Sequence, residues 1–142
     1  MDVFINTDNM NIRDLKAFRK LDYDRWKPLK CPLMDGEIVC FNKAGFYHLT
    51  HDGHNRYRTE ADQRMRLNLL PYVRKVIKGA QRFTAKEKIL PPEDNKFGKP
   101  VHFYEITRRF NEKKAISVVL RRIGDGGQLH YYSVRFYKKH GC

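Results

Sequence analysis

Three of the six histidines in this 142-residue chain lie in one stretch, GFYHLTHDGHNRYR, at residues 45–58. They are His48, His51 and His54, and Arg56 and Arg58 close the stretch. Histidine both gives and takes a proton near neutral pH, and the arginine fork fits phosphate oxygens. The combination predicts a site that handles a phosphodiester. The alternative is a solvated polar loop that leads into a helix.

A second group of candidates lies on the strand-like segments near the C-terminus, where basic and aromatic residues interleave. Alternation along QLHYYSVRFYK predicts His130, Tyr132, Val134 and Phe136 on one face, and Tyr131, Ser133, Arg135 and Tyr137 on the other. Such a face suits RNA, because cations neutralise phosphates while rings stack on bases. We expect RNA contacts from Arg56, Arg109, Arg122, Tyr132 and Arg135. The alternative is a solvated outer face whose side chains pack across strands.

The composition supports an anionic partner. Lys and Arg number 29 against 16 Asp and Glu, which gives a net charge of +13. Such an excess attracts polyanions, most commonly nucleic acid, whereas an anionic membrane surface and an acidic protein are the rivals. No apolar run approaches the ~20 residues of a spanning helix, and the first residues lack a signal-peptide pattern. We therefore expect no membrane anchor.

Other chemistries find little support in the motifs. Neither a GxxxxGK[ST] loop nor a GxGxxG motif after a strand occurs. His48 and His51 have HxxH spacing but no HExxH context, so we expect neither metal nor cofactor. The cysteines Cys31, Cys40 and Cys142 form no CxxC pair and are typical of reduced thiols, which favours a cytoplasmic location.

Helical patterns dominate the first 80 residues after a loose polar arm at residues 1–10. Ile12, Leu15, Phe18 and Leu21 predict an amphipathic helix that begins after Asn11, and Pro28 and Pro32 then end regular structure. The segment at residues 46–55 can form a helical turn with His48 and His51 on one face, or a loop. A long helix follows with Thr59 as N-cap, a kink or break at Pro71 and a cap at Gly79.

The period changes to that of strands after a polar connection predicted at residues 81–99. VHFYEITRRF, AISVVLRRI and QLHYYSVRFYK form three antiparallel strands joined by NEKK and GDGG turns, and residues 37–41 offer a fourth. The predicted fold is α+β, with N-terminal helices packed on a twisted antiparallel sheet of three to four strands. We expect one compact domain, in which residues 1–36 are a helical segment and residues 37–142 the main unit.

Several separated pieces together resemble the barnase–EndoU–colicin–RelE superfamily of toxin ribonucleases, and most of all its small phage- and bacterium-associated members. The pieces are KAGFYHLTH, RYRTEADQRMRLNLLPYVRKVIKG, VHFYEI and ISVVLRRIGDGGQLHYYSV, and they cover about two-thirds of the chain, roughly residues 43–137. The first forty residues lie outside the resemblance.

The resemblance implies a metal-independent endoribonuclease, commonly a toxin held by a cognate antitoxin or immunity protein. It assigns site roles to His48, Arg58, Arg121, His130 and Ser133. The extra histidines at His51 and His54 depart from the family pattern, so the pattern does not single out which histidine moves the proton.

The requirements of metal-free RNA cleavage lead to the same candidate residues as the resemblance. Because RNA carries its own 2′-OH nucleophile, a metal-free nuclease needs a base, an acid and cations that stabilise the phosphorane. His48 or His51 together with His130 are the acid–base candidates, and Arg58 and Arg121 the phosphate clamp, while Ser133 bonds a phosphate oxygen or orients a histidine. The alternatives are a non-catalytic basic RNA- or DNA-binding regulatory protein, and an interaction protein whose basic face meets an acidic partner.

Overall fold

The computed structural model describes residues 7–137, in which four helices accompany one six-stranded sheet. The helices are α1 (Ile12–Tyr23), α2 (Lys43–Tyr47), α3 (Glu60–Leu69) and α4 (Val73–Gly79). The strands are β1 (Leu29–Cys31), β2 (Glu37–Cys40), β3 (Arg82–Leu90), β4 (Val101–Arg109), β5 (Ala115–Ile123) and β6 (Leu129–Phe136). Their order is β1-β2-β6-β5-β4-β3, and every neighbouring pair is antiparallel except β2 and β6. The predicted α+β class is confirmed.

The sheet is larger than predicted, and it is mixed rather than purely antiparallel. Residues 81–99 were expected to be a polar connection, but β3 occupies the first half of that segment and pairs with β4. As an edge strand it can carry polar residues, so its sequence shows little of a strand's hydrophobic signal. The other unpredicted strand, β1, fits between Pro28 and Pro32 at the opposite edge, where proline is tolerated.

The predicted boundary between the helical segment, residues 1–36, and the main unit, residues 37–142, falls in the turn between β1 and β2. Asp35 and Gly36 both have positive φ there, and the two strands on either side pair with each other. Cys31 and Val39 are both fully buried in one core. Residues 7–36 therefore share the core of the rest of the described chain. Part of the expected loose arm, residues 1–6, lies outside the described residues, as does Cys142.

Helix α1 forms as predicted, with Asn11 accepting a hydrogen bond from the Asp14 backbone at its N-cap, but its buried face differs. Leu15 and Tyr23 are buried, whereas Leu21 is 65% exposed. A three-residue step falls about 60° short of a full turn, so Ile12 and Leu21 lie on opposite sides of the helix. The predicted stripe was therefore wrong at Leu21.

The long helical pattern divides at Pro71 as predicted. α3 starts after its N-cap Thr59, ends at Leu69, and a 3₁₀ turn over Leu70–Tyr72 leads into α4. Gly79 is the last residue of α4, and the cap is Ala80. Both helices contribute to the main core, with Leu67, Leu70, Val73, Val76 and Ile77 buried at 1% exposure or less.

A bulge in β6 changes which of its side chains share a face. Val119 pairs with Ser133 but Leu120 pairs with Tyr131, so Tyr132 is an extra residue. Tyr131, Val134 and Phe136 consequently align with the core residues Leu120, Val118 and Ile116. The predicted grouping of Val134 and Phe136 with His130 was therefore wrong, because strict alternation cannot anticipate an inserted residue.

Candidate functional site

A cleft of about 360 Å³ opens between α2, the turn after it, the loop after β3, and the sheet. Its lining includes His48, Lys96, Phe97, Phe103, Arg121 and Tyr132, together with the carboxylates of Asp52 and Asp94. Asn95 organises the loop after β3, because its Nδ2 donates to the carbonyls of Pro91 and Lys99 at 2.8 Å each. Its Oδ1 accepts the Phe97 backbone N–H, also at 2.8 Å. The loop is thereby held in a shape that places Phe97 in the cleft.

The guanidinium of Arg121 lies between two aromatic rings of the cleft. Its Cζ is 4.4 Å from the centroid of Tyr132 and 5.5 Å from that of Phe97. No carboxylate of residues 7–137 lies within 4.0 Å of it, whereas Arg58, Arg66, Arg122 and Arg135 all pair with one. Burial lowers the pKa of Arg121, but arginine stays charged at neutral pH. Its charge is therefore available to an anionic ligand.

His130 is the register partner of Arg121 on β6, so the two side chains share one face of the sheet. Burial lowers the pKa of His130, the neighbouring charge of Arg121 lowers it further, and a backbone hydrogen bond with Gln128 opposes both. The imidazole is consequently neutral at pH 7 and able to accept a proton. His130 is absent from the cleft lining, so its place beside the cleft rests on its pairing with Arg121.

His48 caps the C-terminus of α2, and its ring centroid lies 4.3 Å from that of Tyr132. Arg58 donates to it twice, from Nη2 to Nδ1 and from Nε to the backbone oxygen, each at 3.0 Å. Because arginine has only donors, Nδ1 must accept. The hydrogen of the neutral His48 ring is then on Nε2.

The surroundings of His48 keep its imidazole neutral. Its pKa is lowered to about 4, first by burial and then by the charges of Arg58, Arg66 and Arg121, with Asp52 acting weakly in the opposite direction. Removal from water and three cations both disfavour imidazolium. At neutral pH this ring is a hydrogen-bond donor through Nε2.

A chain of ion pairs continues from Arg58 away from the cleft. Arg58 Nη1 donates to Asp62 at 3.2 Å, and Arg66 Nε donates to the same carboxylate at 2.9 Å. Arg66 Nη1 then donates to Ser133 Oγ at 3.0 Å and to the Val134 carbonyl at 3.0 Å. Both Arg58, whose side chain is 10% exposed, and Ser133 are absent from the cleft lining.

His51 lies outside the cleft lining, in a stack of aromatic rings. Its ring is parallel to that of Tyr47 at 3.9 Å and tilted against Tyr57 at 4.1 Å, and its Nδ1 bonds Thr50 Oγ1 at 2.9 Å. His51 also forms a backbone bridge with Tyr57 that closes the turn. A helical turn follows α2, in which the His51 backbone N–H donates to the Tyr47 carbonyl at 3.1 Å. The two rings nevertheless have different neighbours, Tyr132 for His48 and Tyr47 with Tyr57 for His51.

The arginines expected to bind RNA are engaged elsewhere. Exposed Arg56 pairs with Asp52 at 3.2 Å, Arg122 pairs with Glu37 on the sheet face opposite Arg121, and Arg135 pairs with Glu105 at 2.8 Å. Arg109 ends β4 and donates to the Asn111 and Glu112 carbonyls, ~26 Å along the strand from Val101. Of the five predicted RNA-binding residues, Tyr132 alone is in the cleft lining.

Five residues of the cleft and of the ion-pair chain were not predicted as site residues: Phe97, Lys96, Phe103, Asp62 and Arg66. The segment FGKP was interpreted only as part of a polar connection, although binding residues are often carried on loops. Asp62 follows Arg58 and precedes Arg66 by four residues each, the spacing of helical ion pairs.

Comparison with protein-family models, curated proteins and solved structures gave no match. Within residues 7–137, no group of three or more His, Cys, Asp or Glu side chains is arranged to hold a metal ion. Over the same residues, none of the helices has the length and apolar character needed to cross a bilayer.

Proposed function

We propose that this protein is an endoribonuclease that cleaves RNA without a metal ion, by attack of the RNA's own 2′-OH. The observation that carries the proposal is Arg121, a half-buried cation without a carboxylate partner among the described residues, which lies against the rings of Tyr132 and Phe97 in the cleft and has His130 as its register partner on β6. Phosphodiester chemistry needs an oriented cation at the charge that develops on phosphorus. Arg121 is the residue best placed for that role.

The reaction needs one net proton transfer. The 2′-oxygen bonds to phosphorus, the bond from phosphorus to the 5′-oxygen breaks, and a proton passes from the 2′-OH to the 5′-oxygen. His130 carries this proton, since it is neutral before the attack and lies beside Arg121. The products are a 2′,3′-cyclic phosphate and a 5′-OH.

The rings around Arg121 support RNA as the polyanion. Phe97 is 37% exposed, and Phe103 and Tyr132 lie 5.5 Å apart, so stacking surface borders the cation. Bases stack on such rings while the cation binds the adjoining phosphate. The net charge of +13 adds long-range attraction for the chain of phosphates.

The wider role follows from the resemblance to the barnase–EndoU–colicin–RelE superfamily. A ribonuclease that cuts tRNA or mRNA is harmful to the cell that makes it, and a protein of this charge suits an acidic antitoxin or immunity protein. We therefore extend the proposal to a toxin, acting on cytoplasmic RNA, whose site is blocked by such a partner.

The proposal is tested by incubating total RNA with the purified protein in EDTA and separating the products on denaturing gels. The wild type should cut RNA, whereas Arg121→Ala and His130→Ala should each lose ~10²-fold or more. His54→Ala and Arg13→Ala are matched controls: His54 is exposed, the Arg13 side chain is 92% exposed, and neither lines the cleft. Both controls should cut normally.

RNA that stays intact with the protein alone would lead to the same assay on translating ribosomes. Intact RNA there as well would contradict the proposal. It would instead favour the alternative function, a non-catalytic RNA- or DNA-binding regulatory protein. The lowered pKa values of His48 and His130 favour that alternative, because neither ring is a ready acid at pH 7. It predicts salt-sensitive binding that survives both His48→Ala and His130→Ala.

A further inference from the structure

We propose that His48 acts in the cleft as a neutral hydrogen-bond donor to a phosphate oxygen, and that Arg58 and Asp62 are positioning residues that fix its tautomer. This inference rests on the proposed function for its substrate, an RNA phosphodiester. It assigns no proton transfer to His48, which distinguishes it from the acid–base role expected from the sequence.

One ring nitrogen of His48, Nδ1, is already occupied by a hydrogen bond from Arg58. Arg58 Nη2 lies 3.0 Å from His48 Nδ1, and Arg58 Nε lies 3.0 Å from the His48 carbonyl oxygen. Arg58 therefore donates hydrogen bonds to both the ring and the backbone of His48. Because Nδ1 accepts, the only proton of the neutral ring is on Nε2, and a nitrogen that already carries that proton cannot serve as a base.

Asp62 supplies the carboxylate that holds Arg58. Asp62 bonds Arg58 and Arg66 at once, at 3.2 and 2.9 Å, and Arg66 is in turn anchored to Ser133 and Val134 of β6. Burial raises the pKa of Asp62, but its bonds to Arg66 and Arg58 outweigh burial and lower it, so the carboxylate stays charged. Asp62 thus connects Arg58, which sets the tautomer of His48, to Arg66, which is bonded to the sheet.

The charges around the His48 ring are mostly positive. The charged groups that act on the ring are three cations and one carboxylate: Arg58 from the loop before α3, Arg66 from α3, Arg121 from β5, and Asp52. Together with burial the three cations keep the ring neutral at neutral pH. A neutral N–H donor keeps its hydrogen throughout the reaction, and it stabilises the phosphorane by hydrogen bonding alone. Arg58 and Ser133, expected to touch phosphate, act instead through His48 and Arg66.

The test is nuclear magnetic resonance of the histidine rings in ¹⁵N-labelled protein, which reports the tautomer without requiring cleavage. In the wild type, His48 should show a protonated Nε2 and an unprotonated Nδ1 from pH 5.5 to 8. A protonated Nδ1, or titration of His48 near the ordinary pKa of ~6.5, would overturn the proposal. This wild-type measurement stands even if a variant fails to fold.

Two variants then test the positioning residues. Arg58→Met should convert His48 to a mixture of tautomers, and Asp62→Asn should do so partially. Arg56→Met and Glu60→Gln are the matched controls, since Arg56 is exposed and the Glu60 side chain is 76% exposed, and they should leave the His48 signals unchanged. An unaltered tautomer in folded Arg58→Met would contradict the role of Arg58.

The donor role is tested with a short 2′-deoxy oligonucleotide, which binds but cannot attack its own phosphate. Its addition should shift the His48 Nε2–H resonance and leave the tautomer unchanged. Absence of any shift, when the Arg121 side-chain resonance does shift, would contradict the donor role while leaving the proposed ribonuclease intact. Loss of both shifts together with intact RNA would instead count against the proposed function.

Discussion

Arg58 and Arg121 show how two half-buried arginines acquire different chemistry from their partners. The side-chain hydrogen bonds of Arg58 go to His48 and Asp62. Arg121 instead contacts aromatic rings and meets no carboxylate among residues 7–137. The first arginine therefore organises protein groups, and the second is available to a ligand. Residue type and spacing identified both, but only the three-dimensional contacts separate their roles.

The lowered pKa of His48 makes a prediction about stability against pH. Its folded pKa of about 4 lies below the ordinary 6.5, so the unfolded chain binds the extra proton between these values. The stabilising contribution is thus complete above pH 6.5 and is lost as pH falls toward 4. Urea unfolding should show that the free energy of unfolding falls between pH 7 and pH 5 in both the wild type and His48→Gln. The fall should be smaller in the variant, by on the order of 1–2 kcal/mol.

That comparison isolates His48, because the lowered pKa of His130 contributes equally to both proteins. Equal pH dependence of the wild type and the variant would show that His48 is not held neutral in the folded state.

At the scale of elements, the site depends on how closely α2 approaches β6. A Cβ placed on Gly45 would lie 2.6 Å from Tyr131 Cδ2, 2.7 Å from the Tyr131 carbonyl oxygen and 2.8 Å from Tyr23 Oη. Two of these neighbours belong to a fully buried tyrosine that cannot move aside easily. The missing side chain therefore sets the distance at which His48, at the end of α2, meets the sheet.

Gly45→Ala should consequently destabilise the protein by ~2 kcal/mol, because the extra carbon overpacks a filled site. Gly126→Ala provides the matched control, since a Cβ there would meet no atom within 4 Å. Thermal unfolding at pH 7 measures both. A Gly45→Ala protein as stable as the control would mean that α2 has room to shift.

The elements also show where sequence patterns suffice and where they fail. The N-cap at Thr59, the break at Pro71 and strands β4 to β6 follow from local signals, and the structure confirms them. β3 was not predicted because it is an edge strand with little hydrophobic pattern, and β1 was not predicted because it has only three residues. The parallel pairing of β2 with β6 joins segments about 90 residues apart, which no local pattern specifies.

The sequence allowed several residues of the site to be predicted, but not how their side chains are arranged. His48, Arg121 and Tyr132 were chosen from residue type, alternation and the family resemblance, and all three line the cleft, whereas His130 does not. His51 and Ser133 were equally good candidates by type, but aromatic stacking and the bond from Arg66 occupy them. Hydrogen-bond partners decide such cases, and a single sequence does not record them.

At the scale of the whole molecule, the net charge of +13 predicts binding that weakens steeply with salt. Affinity for a 2′-deoxy oligonucleotide, measured across KCl concentrations, should fall linearly on logarithmic axes. Arg121→Ala should reduce the slope by ~0.7, the value for one phosphate contact on a single strand. Arg13→Ala, on α1, should leave the slope unchanged, and equal slopes in all three proteins would contradict a phosphate contact at Arg121.

The central claim is that Arg121 and His130 promote attack by the 2′-OH of RNA without a metal ion. Mass spectrometry of a defined RNA oligonucleotide after incubation in EDTA tests it most directly. The account predicts fragments ending in 2′,3′-cyclic phosphate and 5′-OH, and no cleavage when the nucleotide before the cut carries a 2′-deoxyribose. Fragments with 3′-OH ends, or cleavage that persists on the 2′-deoxy substrate, would contradict it.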